Sequence, residues 1–147
     1  MIKKFNDHRG DFVLFDANNC DQVNVVTNKR KFTFRGLHYQ TNPPQTKMVK
    51  IIQGKVLDIL YDLKTHKLEF YLLDKYSEPL YVADNYAHGY LTLEDNTIFT
   101  YAVKGEYNPE SEHSIIWSDV MSLHDVIMSH VGTHSKLTIS KKDQQGK

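Results

Sequence analysis

Arg35-Gly36-Leu37-His38-Tyr39-Gln40, followed seven residues on by Lys47, sets a guanidinium, an imidazole and an ammonium on two neighbouring segments. Both segments otherwise read as barrel wall, with Phe32 and Phe34 before and Val49, Ile51 and Ile52 after. Ionisable groups on the inner surface of a small β-barrel cost desolvation free energy unless they are paired or used. Clusters of them are therefore candidates for a site. His88, in Tyr86-Ala87-His88-Gly89-Tyr90, adds a second imidazole. Two permanent cations and two imidazoles suit an anionic ligand such as a phosphate or diphosphate. Tyr101 and Tyr107 offer hydroxyls, and packing alone accounts for either equally well. Asp143, near the end, reads by itself as a surface aspartate in a polar tail.

Other chemistries have less support. A metal site is disfavoured, because His38-Tyr39-Gln40 lacks the second histidine of a His-x-His pair and Lys47 would repel a cation. Cys20 is the single cysteine and has no adjacent histidine, and Gly-x-Ser-x-Gly is absent, so nucleophilic catalysis is weakly supported. Cys20 cannot form an intrachain disulfide, which points to a reducing compartment. The 18 basic residues balance 18 acidic ones, so nothing global points to nucleic acid or a membrane surface. The N-terminus is polar, and no apolar run is long enough for a membrane span. The expectation is a cytoplasmic protein of one domain, residues 1–147.

The elements that must position these groups read as strands. β-branched and aromatic residues recur in short runs, at 12–15, 22–27, 32–40, 46–53, 55–63, 69–73, 80–83, 88–94, 97–103, 114–117 and 136–139. Asn42-Pro43-Pro44, Gln53-Gly54, Glu94-Asp95-Asn96 and Asn108-Pro109 supply the turns. So many short strands predict an all-β sandwich, jelly roll or closed barrel. One helix is predicted over 119–131, from Val120, Leu123, Ile127 and Val131, with Asp119 as N-cap and Gly132 as its end. Residues 141–147 read as a frayed tail. Period two puts Lys47 with Val49 and Ile51, Asp58 with Val56 and Leu60, and Tyr101 with Phe99 and Val103. Those three polar groups thus sit where a pocket lining would put them. Strands apolar on both faces predict a second sheet or a subunit interface outside.

The motifs Arg35–Gln40, Gln45-Thr46-Lys47, Ala87-His88-Gly89-Tyr90, Phe99-Thr100-Tyr101, Tyr107–Ser111 and Ile139–Asp143 together resemble the nucleotide-sugar 3,5-epimerases of the dTDP-4-dehydrorhamnose 3,5-epimerase family. The resemblance runs from about Asp7 to Asp143, with the motifs in the family's order. It implies a cupin-type jelly-roll barrel with one or two short helices near the C-terminus. It also implies a homodimer that works without metal or organic cofactor on a nucleoside-diphosphate 4-keto-6-deoxy sugar, in deoxysugar and surface-polysaccharide biosynthesis. By position, His38 resembles the general base, Asp143 its carboxylate partner, Lys47 the group facing the C4 oxygen and Tyr101 the opposite proton donor. Arg9, Arg35, His88, Tyr107 and Glu112 resemble substrate contacts, with Tyr107 stacking on the nucleotide base, and Gln40 and Asp58 complete the expected substrate-binding set.

The chemistry is consistent with that carry-over. A C4 ketone acidifies the hydrogens on C3 and C5, because the carbanion delocalises onto oxygen. Imidazole suits removal of such a proton near neutral pH. Inversion then needs a second group on the other face. Two alternatives stand beside the epimerase. A sugar-nucleotide 3,4-ketoisomerase on the same barrel usually reads Arg-Gly-x-His-Ala-His, and Tyr39-Gln40 replaces its last two residues here. A non-catalytic sugar-nucleotide-binding protein is opposed by all four catalytic-type positions being filled.

Overall fold

The computed structural model describes residues 2–15 and 19–145. Three sheets form. A hairpin pairs β1 (Ile2–Asp7) with β2 (Gly10–Phe15). A four-stranded sheet runs in the order β3 (Gln22–Asn28), β10 (Thr97–Lys104), β5 (Thr46–Gln53), β8 (Leu80–Val82). A five-stranded sheet runs β11 (Glu112–Ser114), β4 (Phe34–Gln40), β9 (Tyr86–Thr92), β6 (Lys55–Asp62), β7 (Leu68–Asp74). Every strand pairing is antiparallel. The two larger sheets form the jelly-roll barrel that the sequence predicts.

Two apolar clusters hold it. The barrel interior packs Val49, Ile51, Val56, Leu60, Val82 and Phe99 between the two sheets. The second cluster lies on the other face of the five-stranded sheet. There Leu57 and Ile59 of β6 and Phe34 and Leu37 of β4 meet Trp117, Leu123, Ile127 and Val131. This explains why β6 is apolar on both faces: its outer face is covered by the chain's own helix rather than by a second sheet or a subunit. Fully burying one such side chain is worth roughly 1.5–3 kcal/mol.

Helix α1 (Met121–Val131) ends at Gly132, whose φ of 85° is the positive angle expected of the predicted stop. Its start differs from the prediction. Asp119 falls in a 3₁₀ turn (Trp117–Asp119), and Val120 takes the N-cap position without a side-chain bond. The turn lets Trp117 sink to 2% exposure, which apolar packing favours over a polar cap. The strand predicted over 136–139 is reduced to a 3₁₀ turn and one parallel bridge, Thr33 to Thr138. The strand predicted over 114–117 shifts to β11. The segment read as a frayed tail contains α2 (Lys141–Gln145) with Asp143 buried in it. Among the described residues no helix is long and apolar enough to cross a membrane.

Candidate active site

Arg35 and His38 are three residues apart on β4, so strict alternation would send them to opposite faces. The pairing of β4 with β9 shifts between them: Arg35 lies opposite Tyr90, and His38 lies opposite His88. The extra residue in β4 re-aims the strand, and both side chains line one cavity. Glycine permits the close approach. Gly36 has φ +122°, and a Cβ there would lie 2.6 Å from Gly89 Cα. A Cβ on Gly89 would lie 2.5 Å from the Arg35 carbonyl oxygen.

The cavity consists of two adjoining hollows of about 230 and 310 Å³, both lined by His38, Lys47 and Tyr101. The first also takes in Gln22, Asn24, Gln45, Tyr107 and Glu112. The second takes in Arg35, His88, Tyr90, Phe99, Lys142 and Asp143.

His38 Nε2 lies 2.6 Å from Asp143 Oδ1. The other carboxylate oxygen accepts the Gly36 N–H at 3.1 Å. Burial pushes the Asp143 carboxyl up, but the His38 hydrogen bond and charge, the Gly36 N–H and Lys142 together bring it below its ordinary value. An ionised carboxylate on Nε2 holds a proton there, so Nδ1 is the nitrogen left to take one from a ligand.

Lys47 lies on β5, which pairs on one side with β10 and on the other with β8. Its Nζ is 5.6 Å from the centre of the Tyr101 ring. Burial lowers the Lys47 pKa, while the charges of Asp58 and Glu112 oppose that fall. Tyr101 stands edge-on to Phe99 at 5.8 Å, and Phe99 stacks on Tyr90 at 4.0 Å. These rings form an apolar floor beneath the ionisable groups. Burial raises the Tyr90 hydroxyl to about 12, so it stays neutral and donates to Asn28 Oδ1 at 3.3 Å.

Several expected ligands have other duties. Asp58 has no exposed surface and does not face the cavity; its carboxylate receives His88 Nε2 at 2.8 and 3.0 Å. It therefore orients an imidazole that lines the second hollow. Gln40 is also buried, and its side chain is taken up by backbone. Its Nε2 donates to the carbonyls of Pro43 and Glu106, and its Oε1 accepts the Asn108 N–H. Gln40 thus braces the loop that carries Tyr107, because the amide bonds both flanks of that loop. Tyr107 stands at the mouth, 57% exposed. Glu112 bonds Lys142 at 2.5 Å. Arg9 lies on the β1–β2 turn, exposed and paired with Asp7 at 2.6 Å, and does not line this cavity.

Asn28, Tyr90 and Lys142 were not legible as site residues. Asn28 is 1% exposed and shares Oδ1 between the Tyr90 hydroxyl and Arg35 Nε, the latter at 2.8 Å. A polar residue at the end of an edge strand carries no signal of such a role. Tyr90 stands in the Ala87–Tyr90 motif but looks like packing until its ring is seen under the cavity. Gln22 and Asn24, one face of β3, bond each other at 2.6 Å on the rim. Both imidazoles already bond a carboxylate, and among the described residues no group of three or more His, Cys, Asp or Glu stands ready for a metal ion.

The chain as a whole is similar to known proteins. Residues 1–147 match the sequence profile of dTDP-4-dehydrorhamnose 3,5-epimerase. The dTDP-4-dehydrorhamnose 3,5-epimerase of Methanothermobacter thermautotrophicus is 29% identical over 158 residues, covering 97% of this chain and 84% of that one. The crystal structure of dTDP-4-dehydrorhamnose 3,5-epimerase from Bacillus anthracis, with TDP and PPi bound, is similar with a TM-score of 0.80 at 27% identity, over 99% of this chain and 90% of that one. That of Legionella pneumophila dTDP-6-deoxy-D-glucose-3,5-epimerase, in complex with dTDP-4-keto-L-rhamnose, has a TM-score of 0.82 at 25% identity, over 99% and 83%. With the whole chain matched to that profile, the chain belongs to the dTDP-4-dehydrorhamnose 3,5-epimerase family.

Proposed function

We propose that this chain epimerises C3, C5 or both of a nucleoside-diphosphate 4-keto-6-deoxy sugar, in deoxysugar and surface-polysaccharide synthesis. A dTDP sugar is the first substrate to test, since the Legionella relative was solved with dTDP-4-keto-L-rhamnose. The observation that carries the reading is one cavity in which the His38–Asp143 pair, Lys47 and Tyr101 all meet.

His38 Nδ1 takes the proton from the carbon beside the ketone. The C–H electron pair moves onto the C4 oxygen as an enolate, and the Asp143 carboxylate stabilises the imidazolium. Lys47, short of water, faces the developing oxyanion and stabilises it. The Tyr101 hydroxyl returns a proton to the opposite face of the carbon. The tyrosinate then regains its proton from solvent, and His38 gives its proton up. General base catalysis of this kind contributes about 10²–10⁴-fold. Arg35 and His88 hold the substrate, and Tyr107 at the mouth stacks on the base. Asp58 and Gln40 serve binding through His88 and through the Tyr107 loop.

The reading includes a second copy of the chain. Phe5 and Phe12 of the hairpin are 58% and 62% exposed, and β3 ends its sheet with Val23 and Val25 51% and 67% exposed. Exposed apolar surface and an open sheet edge favour association. In a homodimer Arg9 would reach the partner's cavity, and its own would be completed in return. The cytoplasm, which keeps Cys20 reduced, is the compartment we assign.

Deuterium uptake from D₂O into C3 and C5, followed by NMR across dTDP, GDP, CDP and UDP 4-keto sugars, tests the reaction. Uptake with inversion is expected for at least one. No uptake from any of the four overturns the epimerase, and a product with its ketone at C3 assigns a ketoisomerase instead.

A further inference from the structure

We propose that Glu112 is a positioning residue that seats α2, and with it Asp143, against His38 by way of Lys142. The proposal rests on the epimerase reading only where it concerns turnover. Helix α2 has five residues, too few to be stable alone. Its local bonds are the Asp143 and Gln144 N–H groups to Ser140, at 3.2 and 3.1 Å. Further back, the chain is held at Thr138, whose backbone bonds Phe32 and Phe34 at 2.9 Å. Between that anchor and the end of α2, the described residues make two kinds of polar tie to the barrel. One is Asp143 itself, to His38 and Gly36. The other is Lys142 Nζ on Glu112 Oε1 at 2.5 Å.

The second tie is built on a rigid base. Glu112 lies on β11 opposite Gln40, and Ser114 two residues on lies opposite His38. Lys142 and Asp143 are neighbours, so seating one brings the other to its imidazole. The Glu112 side chain is 20% exposed, against 49% for Lys142. Burial raises the Glu112 carboxyl, but the Lys142 bond and charge, His38 and the Tyr107 hydroxyl bring it below its ordinary value. Glu112 is therefore an anion committed to Lys142.

This accounts for a carboxylate in a cavity suited to a diphosphate. An unpaired carboxylate there would repel the ligand; one neutralised by Lys142 does not. Tyr107 lines the same hollow as Glu112. A ligand in the first hollow therefore lies beside the carboxylate that bonds Lys142 of α2.

The test is amide hydrogen exchange of the ligand-free protein, read on peptides covering 140–145 and Gly36. The variants are E112Q, K142M and the swapped pair E112K with K142E. Partly exposed ion pairs of this kind change local opening by roughly two- to fivefold. Exchange in both single variants is expected to quicken by about that factor, and the swap is expected to return it toward wild type. In the D₂O assay, kcat of E112Q should fall more than KM rises. Unchanged exchange in the single variants, or a swap no better than either, overturns the proposal. So does an E112Q that only raises KM, which would make Glu112 a plain substrate ligand. If wild type itself takes up no deuterium on any sugar, the epimerase reading fails, and the exchange arm still decides the role of Glu112.

Discussion

Replacing Asp143 by Asn should remove most of the proton abstraction while leaving the barrel folded. The amide has the shape of the carboxylate, and its Oδ1 can still accept the Gly36 N–H that now lies 3.1 Å from Asp143 Oδ2. What changes is the contact at 2.6 Å with His38 Nε2. Asn presents an N–H there, so Nε2 must accept, and the imidazole proton moves to Nδ1. The lone pair that would take the sugar proton is then gone, and so is the charge that stabilises the imidazolium. The loss should approach the whole contribution of the base, about 10²–10⁴-fold. That corresponds to about 2.7–5.4 kcal/mol at 1.36 kcal/mol per decade. The cost to folding is smaller, on the order of 1.5–3 kcal/mol for one charge-assisted hydrogen bond. The assay is the initial rate of deuterium uptake at C3 and C5, with a thermal melt of the same sample. A D143N protein that exchanges within threefold of wild type at the same fraction folded refutes the dyad. The sign with pH follows from the lowered Asp143 pKa. The pair's contribution is present above the ordinary carboxyl value of 3.8 and is lost as pH falls through the lower folded value. Asp143 therefore adds no titration limb of its own near neutrality.

Three further outcomes follow. Tyr101→Phe should cut net inversion by about 10²-fold or more, measured as product formed, while deuterium exchange at the abstracted position falls far less; equal losses in both would remove Tyr101 as a separate donor. Deletion of residues 141–147 should lose activity to about the extent of D143N, with the melt little changed, because Thr138 still anchors the chain to Phe32 and Phe34; full activity in that truncation would remove Asp143 from the mechanism. Lys47 should lose its proton below the ordinary lysine value of 10.5, since burial outweighs the charges of Asp58 and Glu112. The alkaline limb of kcat should therefore fall below that pH and move up in Lys47→Arg, and a limb that stays in place assigns it to another group.

Much of this was legible from residue types and order. Alternating apolar residues and turn chemistry specify the strands, because a half-buried strand needs period two. The same alternation puts Lys47, Asp58 and Tyr101 inward, and Gly132 marks the end of α1 because a positive φ suits glycine. The motifs are also enough to assign the family and the candidate chemistry. Distance is what they do not contain. The bulge at Gly36 and Leu37, which turns Arg35 and His38 to one side, depends on the backbone of β9 lying against Gly36. The outer cover of β6 depends on where α1 docks, and a strand apolar on both faces does not say what covers it. Asp58 and Gln40 look like ligands because polar groups at barrel positions must be satisfied; only the fold reveals that His88 and the loop carbonyls satisfy them. Asp143 looks like a tail residue because its partner is 105 residues away in the chain. Local propensity fixes elements over a few residues, whereas a carboxylate acquires its role from the one imidazole that tertiary packing brings to it.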